Sequence, residues 1–492
     1  MSKMIYITDN KEADINYIKD SNTITVFKGL NLIEVHHPAN ATQSAVFLKL
    51  LNHFDIFILS RSRRALIEAQ EIFQYTRLVY EPRRKITDID KLARRIFSIR
   101  CFTICLPAEC ATQEMIRKFH VKGIKVIIRA QNQTDVYKAA LAGADGVLGK
   151  DLKRVEIESD LTTLPFLVSH RGYQVDQVEN SIKAGLKAHQ HNADVLELDV
   201  HLTEDKKIVV NHDPTLGRTY DKDYVIKINK LAELKQARQK LNETILDDRI
   251  ATLTEFDKEL PEDLTFLVET KVEGNHAIKR LSRIVNSMKR NVMVMSFYPI
   301  ALIRMDSYIK NNINGLLLAS EEENMELLPI IKVVNKYKLI IHPQYSKFDY
   351  KWEQEIKRRM IGYSPWGIKE EDLEDALFEH HDMINSNFVH LLAHLPKKIV
   401  TKREIIYSLG DKKQLQVSNE KGKKLKFKTR ILFDNPLELT IENGVITGAG
   451  KTGTTYLYVT HGATIFKKKI HYASDLIKVT VVDSEENNNG PN

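Results

Sequence analysis

Eight short β-rich segments, each followed by a helical or loop segment, run from Leu164 to about Val400. Such alternation predicts a parallel sheet with crossover helices. Eight units in about 235 residues have the count and length of a TIM (β/α)8 barrel. An open doubly wound sheet is the alternative, but it more usually stops at five to seven strands. The predicted strands are Phe166–Ser169, Val195–His201, Phe266–Lys271, Val292–Phe297, Gly315–Ala319, Leu339–His342, Ile361–Tyr363 and Met383–Val389.

The 492 residues are enough for about three domains. Residues 1–160 also alternate between strand-like and helix-like segments, which predicts a separate α/β domain before a barrel at 161–402. Its predicted strands are Ile5–Thr8, Thr23–Phe27, Asp55–Leu59, Leu78–Glu81, Phe102–Leu106, Lys125–Arg129 and Gly146–Leu148.

The pattern changes after Thr401, where the helical signal disappears. Residues 411–483 contain short alternating segments separated by Gly, Asn and Lys, which is typical of a small all-β sandwich. Residues 484–492 have no apolar side chain, and we expect a disordered tail there.

The net charge of +8 is concentrated near the C-terminus. Residues 401–482 contain 15 Lys and Arg against 7 Asp and Glu, whereas the rest of the chain is nearly balanced. The N-terminus lacks the apolar core of a signal peptide, and no apolar run is long enough for a membrane span. We therefore expect a protein without a leader or a membrane span, with its polyanion attraction in the C-terminal module.

Carboxylates cluster at the ends of two consecutive predicted barrel strands. Glu197 and Asp199 are two residues apart and project from one face of the second strand, and Glu269 lies near the end of the third. Barrels of this kind hold their active sites at this C-terminal face. Because neighbouring carboxylates repel one another unless a cation neutralises them, the pattern predicts a site for one divalent cation, Ca²⁺ or Mg²⁺.

Basic side chains surround the same predicted site. His170 and Arg171 end the first strand, His212 follows the second, and Lys271 ends the third. Two imidazoles can act as general acid and general base, and Arg171 and Lys271 can bind phosphate oxygens. This set of groups predicts metal-assisted cleavage of a phosphodiester.

Several ordered motifs make residues 166–271 resemble the glycerophosphodiester phosphodiesterase family. They are HRG at 170–172, EN at 179–180, ELDV at 197–200, VVNHDPTLGRT at 209–219, TLTEF at 252–256 and VETK at 268–271. The resemblance implies a TIM barrel with a divalent ion that hydrolyses glycerophosphodiesters to glycerol phosphate and an alcohol. It leaves open whether a hydroxyl of the substrate attacks phosphorus first.

The resemblance also implies roles for individual residues. His170 and His212 together correspond to the general acid–base pair, with neither role assigned to one of them, and Arg171 and Lys271 correspond to the phosphate contacts. The implied metal ligands are Glu197, Asp199 and Glu269.

Three further positions have two interpretations each. Glu179 and Asn180 are expected to shape the loop under the site, and they act either as direct substrate contacts or as the N-terminal carboxylate and cap of the first helix. Trp366 either lines a glycerol pocket or packs inside the barrel. The closing strand, Met383–Phe388, lacks the acidic turn that is usual in the family. That departure makes the leaving-group side of the substrate uncertain.

Both flanking regions carry weaker resemblances. Lys122–Lys150 is similar to the closing βαβ unit of the same family but has none of its catalytic motifs, so we expect 1–160 to be a degenerate, non-catalytic barrel-like domain.

Residues 413–482 resemble bacterial immunoglobulin-like group 2 modules, which serve adhesion or assembly on surface and phage virion proteins. Two lysine runs, at 421–428 and 467–469, are expected on one face. Nucleic acid is not expected as a partner, because no stacking aromatics are interleaved.

Three functions remain open at this stage. The first is a diesterase acting on glycerophosphodiesters or on a glycerophosphate polymer such as teichoic acid, carried on a phage tail or baseplate with other virion proteins and acting at the cell surface. The second is a catalytically inactive structural or receptor-binding protein. The third is a cytoplasmic diesterase of phospholipid catabolism.

Overall fold

The computed structural model describes most of the chain. The described residues are 4–11, 13–19, 29–35, 37–51, 55–84, 86–309, 312–319, 326–345, 350–433, 435–447 and 450–483. The predicted strand Thr23–Phe27 and the predicted tail 484–492 lie outside them.

The first domain is a closed barrel of eight parallel strands, in sequence order. Side chains alternate between the lumen, which Ile7, Phe57 and Ile127 help to fill, and the outer layer, where Ile58 and Val126 meet the helices. The strands at Ile15–Lys19 and Asn31–Glu34 were not predicted, because polar residues such as Asn16 and Asn31 interrupt their apolar pattern. The elements are β1 Ile5–Thr8, β2 Ile15–Lys19, β3 Asn31–Glu34, α1 Pro38–Leu51, β4 Ile56–Ser60, α2 Arg63–Ile72, β5 Arg77–Tyr80, α3 Ile89–Phe97, β6 Thr103–Pro107, α4 Gln113–His120, β7 Lys125–Arg129, α5 Gln133–Ala142 and β8 Gly146–Leu148.

The second domain is a second barrel, which confirms the predicted TIM-barrel architecture. Seven parallel strands run in the order β17, β16, β15, β14, β10, β9, β18, and β11 pairs antiparallel with β10. The elements are β9 Phe166–Ser169, α6 Ile182–Gln190, β10 Val195–Leu202, β11 Ile208–Val210, α7 Leu231–Leu234, β12 Lys240–Leu241, β13 Thr244–Ile245, α8 Leu253–Glu259, β14 Thr265–Thr270, α9 Asn275–Ser287, β15 Val292–Ser296, α10 Pro299–Asp306, β16 Asn314–Leu318, α11 Leu327–Tyr337, β17 Leu339–Pro343, α12 Tyr350–Lys357, α13 Leu373–Phe378 and β18 Met383–Ser386.

The position between β17 and β18 is filled by an irregular segment. The prediction of a regular strand at Ile361–Tyr363 was wrong, because this stretch pairs only at isolated bridges. Tyr363 bridges to Ile341, and Trp366 bridges to both Gln344 and Asn385, which connects β17 to β18. Pro365 has no N–H to donate, so a continuous ladder cannot form there.

The two barrels pack base to base, through the N-terminal ends of their strands. Lys125 at the start of β7 pairs with Asp382, which immediately precedes β18, at 2.5 Å. Arg77 at the start of β5 donates to the Met360 carbonyl at 2.8 Å. The C-terminal mouth of each barrel therefore opens away from the other barrel.

Among residues 401–483, the described part contains only strands and turns. One sheet has the order β20, β28, β26, β23, with β27 also paired to β26, and a second has the order β21, β25, β24. Since β20 pairs with β28, the module begins before the predicted residue 411. Its strands are β19 Ile399–Val400, β20 Glu404–Ser408, β21 Lys413–Gln414, β22 Ser418–Asn419, β23 Lys428–Ile431, β24 Thr440–Glu442, β25 Val445–Thr447, β26 Gly453–Ile465, β27 Lys468–Ala473 and β28 Ile477–Val482. No helix in the described residues has the length and apolarity that crossing a bilayer requires.

Candidate active site at the mouth of the second barrel

Three carboxylates converge at the C-terminal mouth of the second barrel. Glu197 and Asp199 lie on β10, and strand register places Asp199 beside Glu269 on β14. The intervening Leu198 packs in the outer hydrophobic layer, so the carboxylates face the lumen. Each of the three offers an oxygen within 4.8 Å of the others, and all three side chains are buried.

The electrostatics of this cluster fit a divalent cation. Burial, followed by the charges of Asp199 and Glu269, raises the pKa of Glu197 well above its usual value. Burial and Asp199 also raise the pKa of Glu269 to about 7. Buried carboxylates that resist ionisation in this way gain most from a bound cation. Hard oxygen donors suit Mg²⁺ or Ca²⁺, so the residues present would hold the implied ion.

Two basic side chains lie against the carboxylates. Lys271 forms ion pairs with Glu269 and, at 3.2 Å, with Asp199. Arg171 is 3.3 Å from Asp199 through its Nε. Burial opposes the ionisation of Asp199, but the charges of Lys271 and Arg171 outweigh it and hold its pKa below the usual value. These cations face the site where a phosphate would meet the ion.

A tight turn after β9 places Arg171 in the site. Its backbone has a φ of 57°, and that of Gly172 has a φ of 88°. A Cβ on Gly172 would approach the Ala184 carbonyl carbon to 2.9 Å, so only glycine fits. The turn lets the Arg171 backbone N–H donate to a Glu197 oxygen at 3.0 Å.

His170 is held by a residue that the sequence analysis missed. Its Nδ1 is 2.7 Å from the Asn387 amide oxygen, which also accepts a 3.1 Å hydrogen bond from Gln174. An amide oxygen only accepts, so Nδ1 carries the proton and Nε2 keeps its lone pair. Burial and the charge of Arg171 lower the pKa of His170 to about 4, so the imidazole is neutral. The available signal was the unusual closing strand, which places an amide where the family usually has an acidic turn.

His212 reaches the mouth from the antiparallel arm formed by β11. The backbone N–H of Asn211 donates to the Asp199 carbonyl at 3.0 Å, which brings the next residue beside the carboxylates. Nδ1 of His212 is 2.7 Å from Asp213, and Asp213 pairs with Arg218 at 2.5 Å. The His212 side chain is 31% exposed, which suits a group that exchanges protons at an open mouth.

Glu179 and Asn180 support the site but do not cap the helix. The helix cap is Ser181, whose oxygen accepts from the Ala184 N–H at 3.0 Å, so the capping interpretation was wrong. Asn180 donates to the Asp199 carboxylate at 2.9 Å and accepts from the Asp199 N–H at 3.2 Å. Glu179 pairs with Arg171 at 3.1 Å. Both residues therefore orient groups that line the mouth.

Trp366 lies in the lumen at the bridge that closes the barrel. Its ring meets that of Phe297 edge to face at 5.8 Å, and its indole N–H has no hydrogen-bond partner among the described residues. Phe297 and the neighbouring Tyr298 are 38% and 49% exposed. Trp366 thus packs inside the barrel beside an apolar lip at the mouth, and its contact with a glycerol group stays a prediction.

A second group of side chains that could ligate a metal ion lies far from this mouth, next to a lysine side chain. Glu353, Glu379 and His381 offer ligand atoms within 4.8 Å of one another. Lys357 forms an ion pair with Glu353 and donates to the Glu379 carbonyl at 2.7 Å. The lysine offsets the charge of one of the two carboxylates of this group.

Residues 170–326 match the model of the glycerophosphoryl diester phosphodiesterase family. A glycerophosphodiester phosphodiesterase of Caldanaerobacter subterraneus subsp. tengcongensis is 28% identical over 245 residues, covering 47% of this chain and 98% of that protein. Lysophospholipase D GDPD1 of Mus musculus is 33% identical over 131 residues, covering 25% of this chain and 41% of that protein. A solved glycerophosphodiester phosphodiesterase from Thermotoga maritima is 25% identical, with a TM-score of 0.41 over 47% of this chain and 98% of that one.

Proposed function

We propose that residues 170–326, which match the model of the glycerophosphoryl diester phosphodiesterase family, make the chain a phosphoric diester hydrolase that releases glycerol phosphate with the help of one divalent cation. The observation that carries this proposal is the convergence of three buried carboxylates with Arg171, Lys271 and two histidines at one mouth. The ion would be held by Glu197, Asp199 and Glu269 and would supply positive charge to a phosphate oxygen.

The remaining residues bind the phosphate or transfer protons. Arg171 and Lys271 bind and orient the phosphate oxygens. His170, neutral with a free Nε2, removes the proton from the attacking hydroxyl, whether of water or of the substrate. As the new P–O bond forms, the bond to the leaving alcohol breaks, and His212 donates the proton that the alcohol takes.

Substituting each histidine tests this assignment. We expect His170→Ala and His212→Ala each to lower release of glycerol phosphate from glycerophosphocholine by about 100-fold or more, because each proton transfer contributes about 10²- to 10⁴-fold. His189→Ala, on the exposed face of α6, is the matched control and should retain full activity. Undiminished hydrolysis in both site variants would exclude the proposal.

Metal dependence is tested separately. Chelation should abolish hydrolysis, and Mg²⁺ or Ca²⁺ should restore it, since Arg171 and Lys271 alone do not balance three carboxylates and a phosphate. Full activity after exhaustive chelation would contradict the proposed metal site.

We also propose that the physiological substrate is a glycerophosphate polymer such as teichoic acid, cleaved by an enzyme carried on a phage tail or baseplate. The strongly basic C-terminal module supports this choice over a cytoplasmic catabolic enzyme, because a small diester needs no extended positive surface. The complete set of polar groups at the mouth disfavours an inactive structural protein. Detection in purified virions, together with preferential turnover of the polymer, tests it; a protein confined to the host cytosol would contradict it.

A further inference from the structure

Seven exposed lysines of the C-terminal module form a positive surface, here called the lysine face. None of them has an ion-pair partner among the described residues, whereas their neighbour Lys468 pairs with Glu374. The lysine face comprises Lys421, Lys423, Lys424, Lys426, Lys428, Lys467 and Lys469. Uncompensated charge at this density attracts polyanions.

Strand register places Lys428 and Lys469, one from each lysine run, on one side of the sheet. Lys428 on β23 pairs with Thr460 on β26, and Thr464, further along β26, pairs with Lys469 on β27. Paired residues project to the same side, and so do residues two apart along a strand. Between the runs, Gly462 leaves room for the side chain of Lys469, because a Cβ there would come within 2.6 Å of the lysine Cε.

The residues between the lysines point the other way. Leu425 and Phe427 pack against the hydrophobic core of the module. Alternate lysines of an extended strand are about 7 Å apart, so each can face a different phosphate of a flexible chain. Phe427, between Lys426 and Lys428, packs against the core and is not available for base stacking, whereas Phe466 beside Lys467 is 49% exposed.

The lysine face continues toward the catalytic mouth. The β26–β27 hairpin contacts His394, whose Nε2 is 3.1 Å from the Thr464 carbonyl oxygen. His394 follows a short 3-10 turn, Val389–Leu392, that leads from Asn387, the partner of His170. Within that turn His390 packs against Tyr173, on the loop after His170, with ring centroids 5.1 Å apart.

We propose that the lysine face binds poly(glycerol phosphate) and holds it beside the catalytic mouth. This inference rests on the proposed function and adds to it a second binding surface for the polymer. A polymer held at the lysine face presents its phosphodiesters to the mouth at a high effective concentration. The lysine face does not raise the effective concentration of a small diester at the mouth.

Binding is measured with the full chain carrying His170→Ala, so that the probe is not cleaved. Lys426→Gln, Lys428→Gln and Lys469→Gln are combined on that background and titrated with poly(glycerol phosphate) at fixed salt. We expect binding to weaken about 100-fold, since a lysine near an anionic surface contributes about 1 kcal/mol. The control combines Lys91→Gln, Lys153→Gln and Lys289→Gln, three exposed lysines of the two barrels, and should change binding less than twofold.

Activity separates this inference from the proposed function. With His170 intact, the triple variant should raise KM for the polymer and leave turnover of glycerophosphocholine unchanged. Equal effects of the triple variant and its control would overturn the inference, as would single-stranded DNA binding as tightly as the polymer. If the unsubstituted protein does not hydrolyse glycerophosphocholine, the proposed function is refuted. The two failures are distinguishable, because polymer binding is measured in a variant that does not catalyse.

Discussion

The two barrels share an architecture but differ in how charge is balanced at their mouths. In the first barrel, Arg129 pairs with Glu34 at 3.2 Å and with Glu81 at 2.6 Å, and Arg61 adds a 2.8 Å contact to Glu81. Two carboxylates thus face two guanidinium groups. In the second barrel, three carboxylates share Arg171 and Lys271, so ionisation of all three would leave one carboxylate charge unbalanced within this group.

This difference indicates that charge balance, more than the fold, separates a cluster that could hold a metal ion from a structural network of ion pairs. Arg129 extends from the end of β7 into the first mouth and occupies the space between the two acidic side chains. Hydrogen bonds and charges from Arg61 and Arg129 outweigh burial and hold the pKa of Glu81 below its usual value. The first mouth is satisfied without an ion, and the second is not.

The largest expected effect comes from removing one carboxylate at each mouth. Glu269→Gln should lower kcat for glycerophosphocholine by about 1000-fold, because it removes a proposed metal ligand. Glu34→Gln, the matched change in the first barrel, should leave kcat within about twofold. Initial rates measure kcat for both variants. Similar decreases in kcat would show that the two mouths do not differ in their contribution to catalysis.

The free energy of unfolding should depend strongly on the charged network of the first mouth, although catalysis does not. Arg129→Met leaves Glu34 without its guanidinium partner and Glu81 with only Arg61, so we expect about 3 kcal/mol lower unfolding free energy. Activity of the molecules that remain folded should be unchanged. Denaturant unfolding followed by circular dichroism measures the first quantity, and an unaltered midpoint would show that the network contributes little.

A smaller effect is expected at a residue that positions a ligand. Asn180→Ala removes both hydrogen bonds to Asp199 and should weaken metal binding about 10- to 100-fold. Isothermal titration with Mn²⁺ measures this change, with Asn192→Ala on the loop after α6 as control. Unchanged affinity would mean that strand β10 alone orients Asp199.

The smallest effect concerns acid stability of the first barrel. Because Glu81 has a lowered pKa when folded, its ion pairs stabilise the protein above the pKa of the unfolded chain and lose their effect as pH falls through the folded value. Glu81→Gln should therefore lower the melting temperature by about 2 °C at pH 7 and by less in strong acid. A pH-independent difference in thermal melts would contradict the ion-pair explanation.

The catalytic barrel was predictable because its strands and polar pairs are local patterns. Glu197 and Asp199 share a face through strand alternation alone, and the motifs around them identified the mouth. Asn387 could not be assigned a role, because its contact with His170 joins residues 217 positions apart in the sequence. The base-to-base packing depends on contacts such as Arg77 with Met360, which no local pattern contains.

Site details that depend on backbone geometry were also beyond prediction. Ser181, rather than Glu179 or Asn180, caps α6, and this follows from the positive φ of 54° at Asn180, which turns its side chain toward Asp199. The irregular segment ending at Trp366 closes the barrel through isolated bridges, which resemble no strand pattern. Closure of the first barrel likewise depends on two strands with polar interruptions.

The central claim is that only the second mouth is built to bind a divalent ion. A crystal soaked in Mn²⁺ and measured for anomalous scattering tests it most directly. We expect a peak contacted by Glu197, Asp199 and Glu269, and none between Glu34 and Glu81. A peak at the first mouth, or none at the second, would contradict this account.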